Sequence, residues 1–303
     1  MVMWTPWLRQ PTAAHPILEP SAPVRWLAER LASGEARFVA SPDSVGFGRS
    51  PMLFGLPDAR GTAALPLRRL QAYASATNVS ANTGVHQMLR ELRSPLLDLA
   101  AARYIVFGQV DADNLPAIPR LDPALSLAFD RDGVAIFENH ATLPRARIVH
   151  RVIAVADEAR ALERMQEFAN QKTHAADLGL GDEVVLAPDG DGRSAAAVEM
   201  PPPDSSEWVR IVDVSDPDAV VLDAQLVSPG FVVLADAYHP RWRATLDGSP
   251  ASIHPADLLF RAVQVPPGRH RIEFHYRPRA DPLGWWTALA AGGVCVLLAR
   301  RRA

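Results

Sequence analysis

Residues Pro282 to Ala299, PLGWWTALAAGGVCVLLA, form an 18-residue run with no charged side chain, and Arg300, Arg301 and Arg302 follow directly. A run this apolar must leave water, and only two destinations suit its length. As a helix rising 1.5 Å per residue it spans roughly 27 Å, which matches the hydrocarbon core of a bilayer. Trp285 and Trp286 then anchor one headgroup layer, and the three arginines place the other end on the cytoplasmic side. The competing destination is a protein core, as a buried C-terminal helix weakened by Gly284, Gly292 and Gly293. Length and flanks favour the membrane, so the expectation is a transmembrane helix over 282–299 with a basic cytoplasmic tail over 300–303. The soluble part then lies on the extracytoplasmic side. Met1 to Ala14 has no basic segment followed by an apolar one, so it reads as neither signal peptide nor first membrane helix. Either earlier helices of a larger membrane protein carry the chain across, or it inserts as a tail-anchored protein.

The remainder is ordinary globular material: 303 residues, 48% hydrophobic and 21% charged. A net charge of -3 and the lack of a basic cluster outside the tail argue against nucleic acid as a partner. Cys295 is the only cysteine, which rules out an intrachain disulfide and any cysteine-based zinc site. Lys172 is the only lysine among many arginines, a compositional bias without functional content.

Pro201-Pro202-Pro203-Asp204-Ser205-Ser206 punctuates the chain as a stiff polar connector. The expected organisation is α+β. An N-terminal arm (1–20) leads into a mixed α/β domain (21–200), and a linker (201–207) leads into a small antiparallel β-sandwich (208–280) and the closing membrane helix. In the first domain, Ser21 to Ser33 has Val24, Leu27, Ala28 and Leu31 at helical spacing, and Arg37 to Ala40 reads as a short strand. Val85 to Ala102 reads as a helix interrupted at Pro95, leading into a strand at Tyr104 to Phe107. Leu125 to Phe129 and Val134 to Glu138 flank the hairpin signal Asp130-Arg131-Asp132-Gly133. Arg147 to Val155 reads as one strand, and Asp157 to Asn170 as a helix. Beyond the linker, 208–212, 219–226, 231–236, 241–246, 259–265 and 270–277 are strand-like. In the last of these Ile272, Phe274 and Tyr276 alternate with charged residues.

The densest chemical cluster is Ser228 to Gly248, where Asp236, Tyr238, His239, Trp242 and Arg243 crowd a strand end and the loop after it. Aromatic faces beside a carboxylate and a guanidinium suit a sugar, which stacks its apolar face and hydrogen-bonds its hydroxyls. The same residues also serve as sandwich core and as caps for loop amides. Other patterns fail on their spacing. Asp189-Gly190-Asp191-Gly192 lacks the later glutamate of a calcium loop, and Gly46-Phe47-Gly48-Arg49-Ser50 lacks the third glycine or lysine of a phosphate loop. Ser50 and Ser194 lack the glycines of a nucleophile elbow, and the nine histidines form no ligand pair. Asn78-Val79-Ser80 fits a glycosylation tripeptide that recurs by chance. No catalytic set, metal site or cofactor motif emerges.

Several blocks in order carry a family resemblance: Phe54 to Gly61, Leu97 to Val106, Phe137 to Ala146, Ser228 to Gly248, Pro267-Gly268-Arg269-His270 and Tyr276-Arg277-Pro278. From about residue 20 to the end they resemble the C-terminal part of YfhO-type bacterial membrane proteins, which are related to the C-type lipid-linked-sugar glycosyltransferases. The resemblance implies an extracytoplasmic module at the bacterial cytoplasmic membrane. Such a module would contact cell-envelope glycan or lipid-linked sugar and would work beside a polytopic partner. The catalytic acid of that superfamily is expected near N-terminal membrane helices that have no counterpart here, so no catalytic residue carries over. The alternative is a structural or assembly domain that binds only a protein partner.

Overall fold

The computed structural model describes residues 19–40, 54–59, 67–76, 94–108, 122–193 and 204–277. Of these residues 41% are strand and 20% helix, so the fold is mostly β and the expected α+β division needs correction. Three sheets build it. The first comprises β1 (Arg37–Ala40), β2 (Ala102–Gly108), β3 (Leu125–Arg131) and β4 (Val134–Asn139), in the order β1-β2-β4-β3. The second comprises β5 (Ala146–Val149), β6 (Arg151–Ala154), β7 (Glu183–Leu186), β10 (Gly230–Leu234), β13 (His254–Ala256) and β14 (Phe260–Val265). The third comprises β8 (Trp208–Asp213), β9 (Ala219–Leu226), β11 (Trp242–Leu246), β12 (Ser249–Ala251) and β15 (Gly268–Tyr276).

The second sheet overturns the picture of an α/β domain followed by a self-contained sandwich. Its order, β5-β10-β14-β13-β7-β6, interleaves strands from both sides of the connector. Its outermost strands, β5 and β6, are separated in sequence by His150 alone. A flat sheet of six strands would hold its edges roughly 24 Å apart at about 4.8 Å per spacing. One intervening residue cannot bridge that gap, so the sheet curls until its two edges meet at His150. The single strand expected over Arg147 to Val155 is thus a strand bent at a buried histidine.

Packing follows the alternation of side chains. In the first sheet Phe38, Tyr104, Val106 and Ile136 pack against α1 (Ala22–Leu31) through Val24, Leu27 and Leu31. Pro23 lies in the opening turn of α1, where its missing N–H costs nothing. The opposite face, with Val39, Ile105, Ala135 and Phe137, shares a core with Phe231, Val233, Phe260 and Ala262 of the second sheet. This core also takes in α2 (Arg68–Ala76), α3 (Pro95–Leu99) and α4 (Glu158–Asn170), the last through Ala161, Met165 and Phe168. The other face of the second sheet (Val232, Leu234, Val263, Val265) meets Leu222, Leu226, Ile272 and Phe274 of the third. Each such large apolar side chain stabilises the fold by about 1.5–3 kcal/mol when fully buried. The β3–β4 hairpin turns at Asp132 and Gly133, both with positive φ (56° and 71°), as the Asp-Gly pair predicts.

Among the described residues no helix is long and apolar enough to cross a membrane; the longest, α4, has 13 residues. The expected closing transmembrane helix is therefore not part of the described fold. Residues 282–299, with Trp285, Trp286, Arg300, Arg301 and Arg302, lie outside the described residues, as do Gly46 to Ser50, Asn78 to Ser80 and Ser194. Of the helix expected over Val85 to Ala102, the described residues show only α3.

Candidate functional site

The five clustered residues do converge, with Trp242 in the middle and a depression on each of two sides. Tyr238, Trp242 and Arg243 line a groove of about 460 Å³ together with Asp189, Asp191 and Arg193. Asp236, His239 and Trp242 line a second depression of about 340 Å³ with Arg261, Tyr276 and Asp218. Strand β11 carries Trp242 and Arg243, while the segment from Asp236 to His239 follows β10. The loop Asp189 to Arg193 is held by its own first side chain. Asp189 Oδ1 accepts the backbone N–H groups of Asp191 and Arg193 at 2.9 and 2.8 Å, and its carboxyl lies below its ordinary value.

Asp236 departs most from a ligand-binding role. It is 6% exposed and accepts four guanidinium bonds. Arg145 binds bidentately, Nε to Oδ1 and Nη2 to Oδ2, both at 2.9 Å. Arg37 Nη2 donates to Oδ1, and Arg261 Nη2 donates to Oδ2 at 2.9 Å. A carboxylate offers about four acceptor positions, so none remains for a ligand. Burial opposes the charge, but the three arginines overcome it and hold the Asp236 carboxyl far below the carboxylate range. Burial pushes Arg261 down to about 10. The cluster is structural: Arg37 comes from the first sheet and Arg261 from the second, and Arg261 stacks 3.8 Å from the Trp242 ring of the third.

The other four side chains differ in availability. Tyr238 is largely buried, with Arg69 5.3 Å over its ring, and burial raises its phenol pKa. His239 packs 5.6 Å from Tyr276, and its Nδ1 accepts the Arg241 N–H at 3.2 Å. Burial and the neighbouring Arg241 lower its pKa, so it is neutral at pH 7. Trp242 meets Tyr276 edge-on at 5.4 Å. Arg243 is exposed, with Nη1 donating to the carbonyls of Pro240 and Trp242.

Sequence reasoning missed Arg37, Arg145 and Arg261 as partners of Asp236, and it dismissed the Asp189 loop. One signal was present. Arg261 interrupts the apolar strand FRAVQV, and a charge inside a buried strand demands a buried counterion.

Two further clusters have the composition of catalytic sets without the chemistry. Ser228 Oγ lies 3.4 Å from His150 Nδ1, and His150 Nε2 lies 2.7 Å from Glu207 Oε2. His150 Nδ1 is also 3.1 Å from the Pro229 carbonyl, an acceptor that calls for a proton on that nitrogen. Ser228 meets that nitrogen only at the outer limit of hydrogen-bond length, and His150 is 0% exposed, so the ring offers no surface to a substrate. The set instead clamps the bend between β5 and β6. The second cluster is His174, whose Nδ1 and Nε2 lie 3.0 and 3.1 Å from Asp98 and Asp122. Both ring nitrogens are engaged, and among the described residues no nucleophile is hydrogen-bonded to them. Among the described residues no group of three or more His, Cys, Asp or Glu side chains is placed to hold a metal.

No family model matches the chain, and neither the curated proteins nor the solved structures contain a significant match to it.

Proposed function

We propose that this chain is a non-catalytic module that contacts cell-envelope glycan or lipid-linked sugar on behalf of a glycosyltransferase-like partner in a bacterial membrane. The observation that carries this reading is the groove beside Trp242. It combines two aromatic side chains with the carboxylates of Asp189 and Asp191 and the guanidinium groups of Arg193 and Arg243. Sugars need such a mixture: an aromatic surface for the C–H face, and charged donors and acceptors for paired hydroxyls. The ordered blocks that resemble the YfhO-type proteins supply the envelope context and the polytopic partner. Isothermal titration of envelope oligosaccharides into the protein tests the reading. Saturable binding is expected, and the double variant Asp191→Ala/Arg193→Ala should weaken it roughly tenfold, the equivalent of one lost charge-assisted hydrogen bond. Both side chains are more than two-thirds exposed, so melting should be unchanged. Absence of binding by the parent protein would sink the proposal.

A second reading, a structural domain that binds only protein, draws on a different place. A cleft of about 670 Å³ runs between the end of α1, the segment Phe54 to Pro57 and the end of β8. Val212 on its wall is 45% exposed, unusual for an aliphatic side chain in this fold. Co-purification of a polytopic protein, lost in Val212→Glu while glycan binding persists, would favour this second reading.

A further inference from the structure

Arg261 is the least satisfied charged group in the cluster around Asp236. Arg145, by comparison, spends Nε and Nη2 on Asp236 and Nη1 on the Gly34 carbonyl at 2.7 Å. Arg261 is 1% exposed, yet among the described residues only Nη2 has a partner; Nε and Nη1 have no acceptor within hydrogen-bond distance. Asp236 cannot supply one, because its four positions are filled. A buried donor left without an acceptor gives up its hydration with nothing in return, so this feature is expensive.

Charge adds to the imbalance. Three guanidinium groups surround one carboxylate; Asp58 acts on Arg37, and Asp218 stands on the rim of the second depression. His239, on the same wall, is neutral at pH 7 and adds no charge. The rings of Trp242 and Phe274, 3.8 and 5.0 Å from the Arg261 guanidinium, answer its charge through their faces but accept no in-plane hydrogen bond. Arg261 itself contributes to the lining of the depression, and the roughly 340 Å³ there hold an oxyanion together with one ring-sized body beside Trp242 and Tyr276.

We propose that this second depression is an oxyanion-binding site, in which a carboxylate or phosphoryl oxygen accepts the unpartnered N–H groups of Arg261. The site stands apart from the glycan groove on the other side of Trp242, and inorganic phosphate alone suffices to probe it.

The test is thermal melting and isothermal titration of the full chain with inorganic phosphate, glucuronate, glucose 1-phosphate and glucose, in buffers of equal ionic strength. Saturable stabilisation by the oxyanions is expected. Glucuronate should bind at least roughly tenfold more tightly than glucose, because a charge-assisted bond replaces a neutral one. The tighter of glucuronate and glucose 1-phosphate identifies the carboxylate or the phosphoryl group as the preferred head. Arg261→Met should abolish the oxyanion response, and Asp218→Asn, which removes only a rim charge, should strengthen it. If Arg261→Met fails to fold, Asp218→Asn decides. Equal responses to glucose and glucuronate, no saturable response, or an oxyanion response unmoved by Asp218→Asn would overturn the proposal.

Discussion

Among the described residues, two buried ion clusters stand out for their opposite design. Around Asp236 one carboxylate is held by three guanidinium groups; at His174 one imidazole is held by two carboxylates, Asp98 and Asp122, both 1% exposed or less. The first is built from charges that do not titrate near neutrality, since arginine stays protonated even when burial lowers its pKa. The second depends on an imidazole, the one side chain whose charge ordinarily changes between about pH 5 and 8. One cluster fixes the three sheets to one another at every working pH. The other ties the short turn after α4 to α3 with a strength that pH can adjust.

The comparison breaks most directly at Asp236. Asp236→Asn leaves three buried guanidinium groups around a neutral amide, and loss of one partner from a buried ion cluster costs about 3–5 kcal/mol. Small domains have about 5–15 kcal/mol in total. Urea denaturation should therefore show a large fall in midpoint, or no folded baseline. Arg261→Met should cost far less, about 1 kcal/mol or under, because it removes the least satisfied cation and leaves an apolar side chain against Trp242 and Phe274. A larger loss in Arg261→Met than in Asp236→Asn would reverse the account of which charge organises the cluster.

At His174 the expected effect is smaller and has a sign. Burial works against the imidazolium, but Asp98 and Asp122 outweigh it, so the folded pKa is raised above the ordinary 6.5. A histidine whose folded pKa is raised contributes stability that is complete below the unfolded value and is lost as pH rises through the folded value. The surrounding groups are Asp98, whose carboxyl burial raises, its partner Asn139, and Asp177 on the turn itself, which lies below its ordinary value through hydrogen bonds from Thr173 and the His174 N–H. Two charge-assisted bonds at about 1.5–3 kcal/mol each set the ceiling, with about 2 kcal/mol expected after desolvation. Unfolding free energy of the parent should fall between pH 6.5 and alkaline pH, and His174→Gln should flatten that slope. An identical slope in both proteins would remove His174 from the argument.

How legible these features are in the sequence depends on whether their signal is local. The hairpin at Asp132-Gly133 and the strands β8, β9, β10, β11, β14 and β15 announce themselves, because turn residues and alternation act within a few positions. Strand β13 (His254–Ala256) does not, since Pro255 argues against an inner strand and only pairing with β14 and β7 makes it one. The bend at His150 and the shared second sheet depend on partners such as Val232 with Ile148, more than 80 positions apart, which no window reveals. The site divides in the same way. The crowding of Tyr238, Trp242 and Arg243 is visible in sequence, whereas the saturation of Asp236 by residues at 37, 145 and 261 is purely tertiary.

An intermediate case tests steric fit instead of charge. Gly230 opens β10 beside the His150 clamp, and a Cβ placed there would lie 3.0 Å from His150 Cε1 and 3.1 Å from Leu226 Cδ2. Overpacking of this kind costs about 1–3 kcal/mol. Gly230→Ala should lower the melting temperature, and adding His150→Ala should recover part of the loss if the ring is the obstacle. No recovery would assign the tightness to Leu226 or to the backbone.

The smallest effect provides the control for both clusters. Arg103 and Glu138 form a pair across β2 and β4, with Nε and Nη2 donating to Oε1 at 2.9 and 2.8 Å, but the arginine side chain is half exposed. Its bond lengths match those of Arg145 on Asp236, although both donors share one oxygen where Arg145 spans two, so exposure to solvent is the main difference between the pairs. Exposed pairs contribute about 0–1 kcal/mol and are screened by salt. Arg103→Ala should therefore shift stability by about 0.5 kcal/mol or less, and even that should vanish near 1 M salt, where the Debye length is about 3 Å. The loss in Asp236→Asn should persist at the same salt, because ions do not enter the cluster to replace the missing charge. If the two losses respond equally to salt, burial is not what separates the Asp236 cluster from a surface ion pair, and its role in holding the three sheets together falls with it.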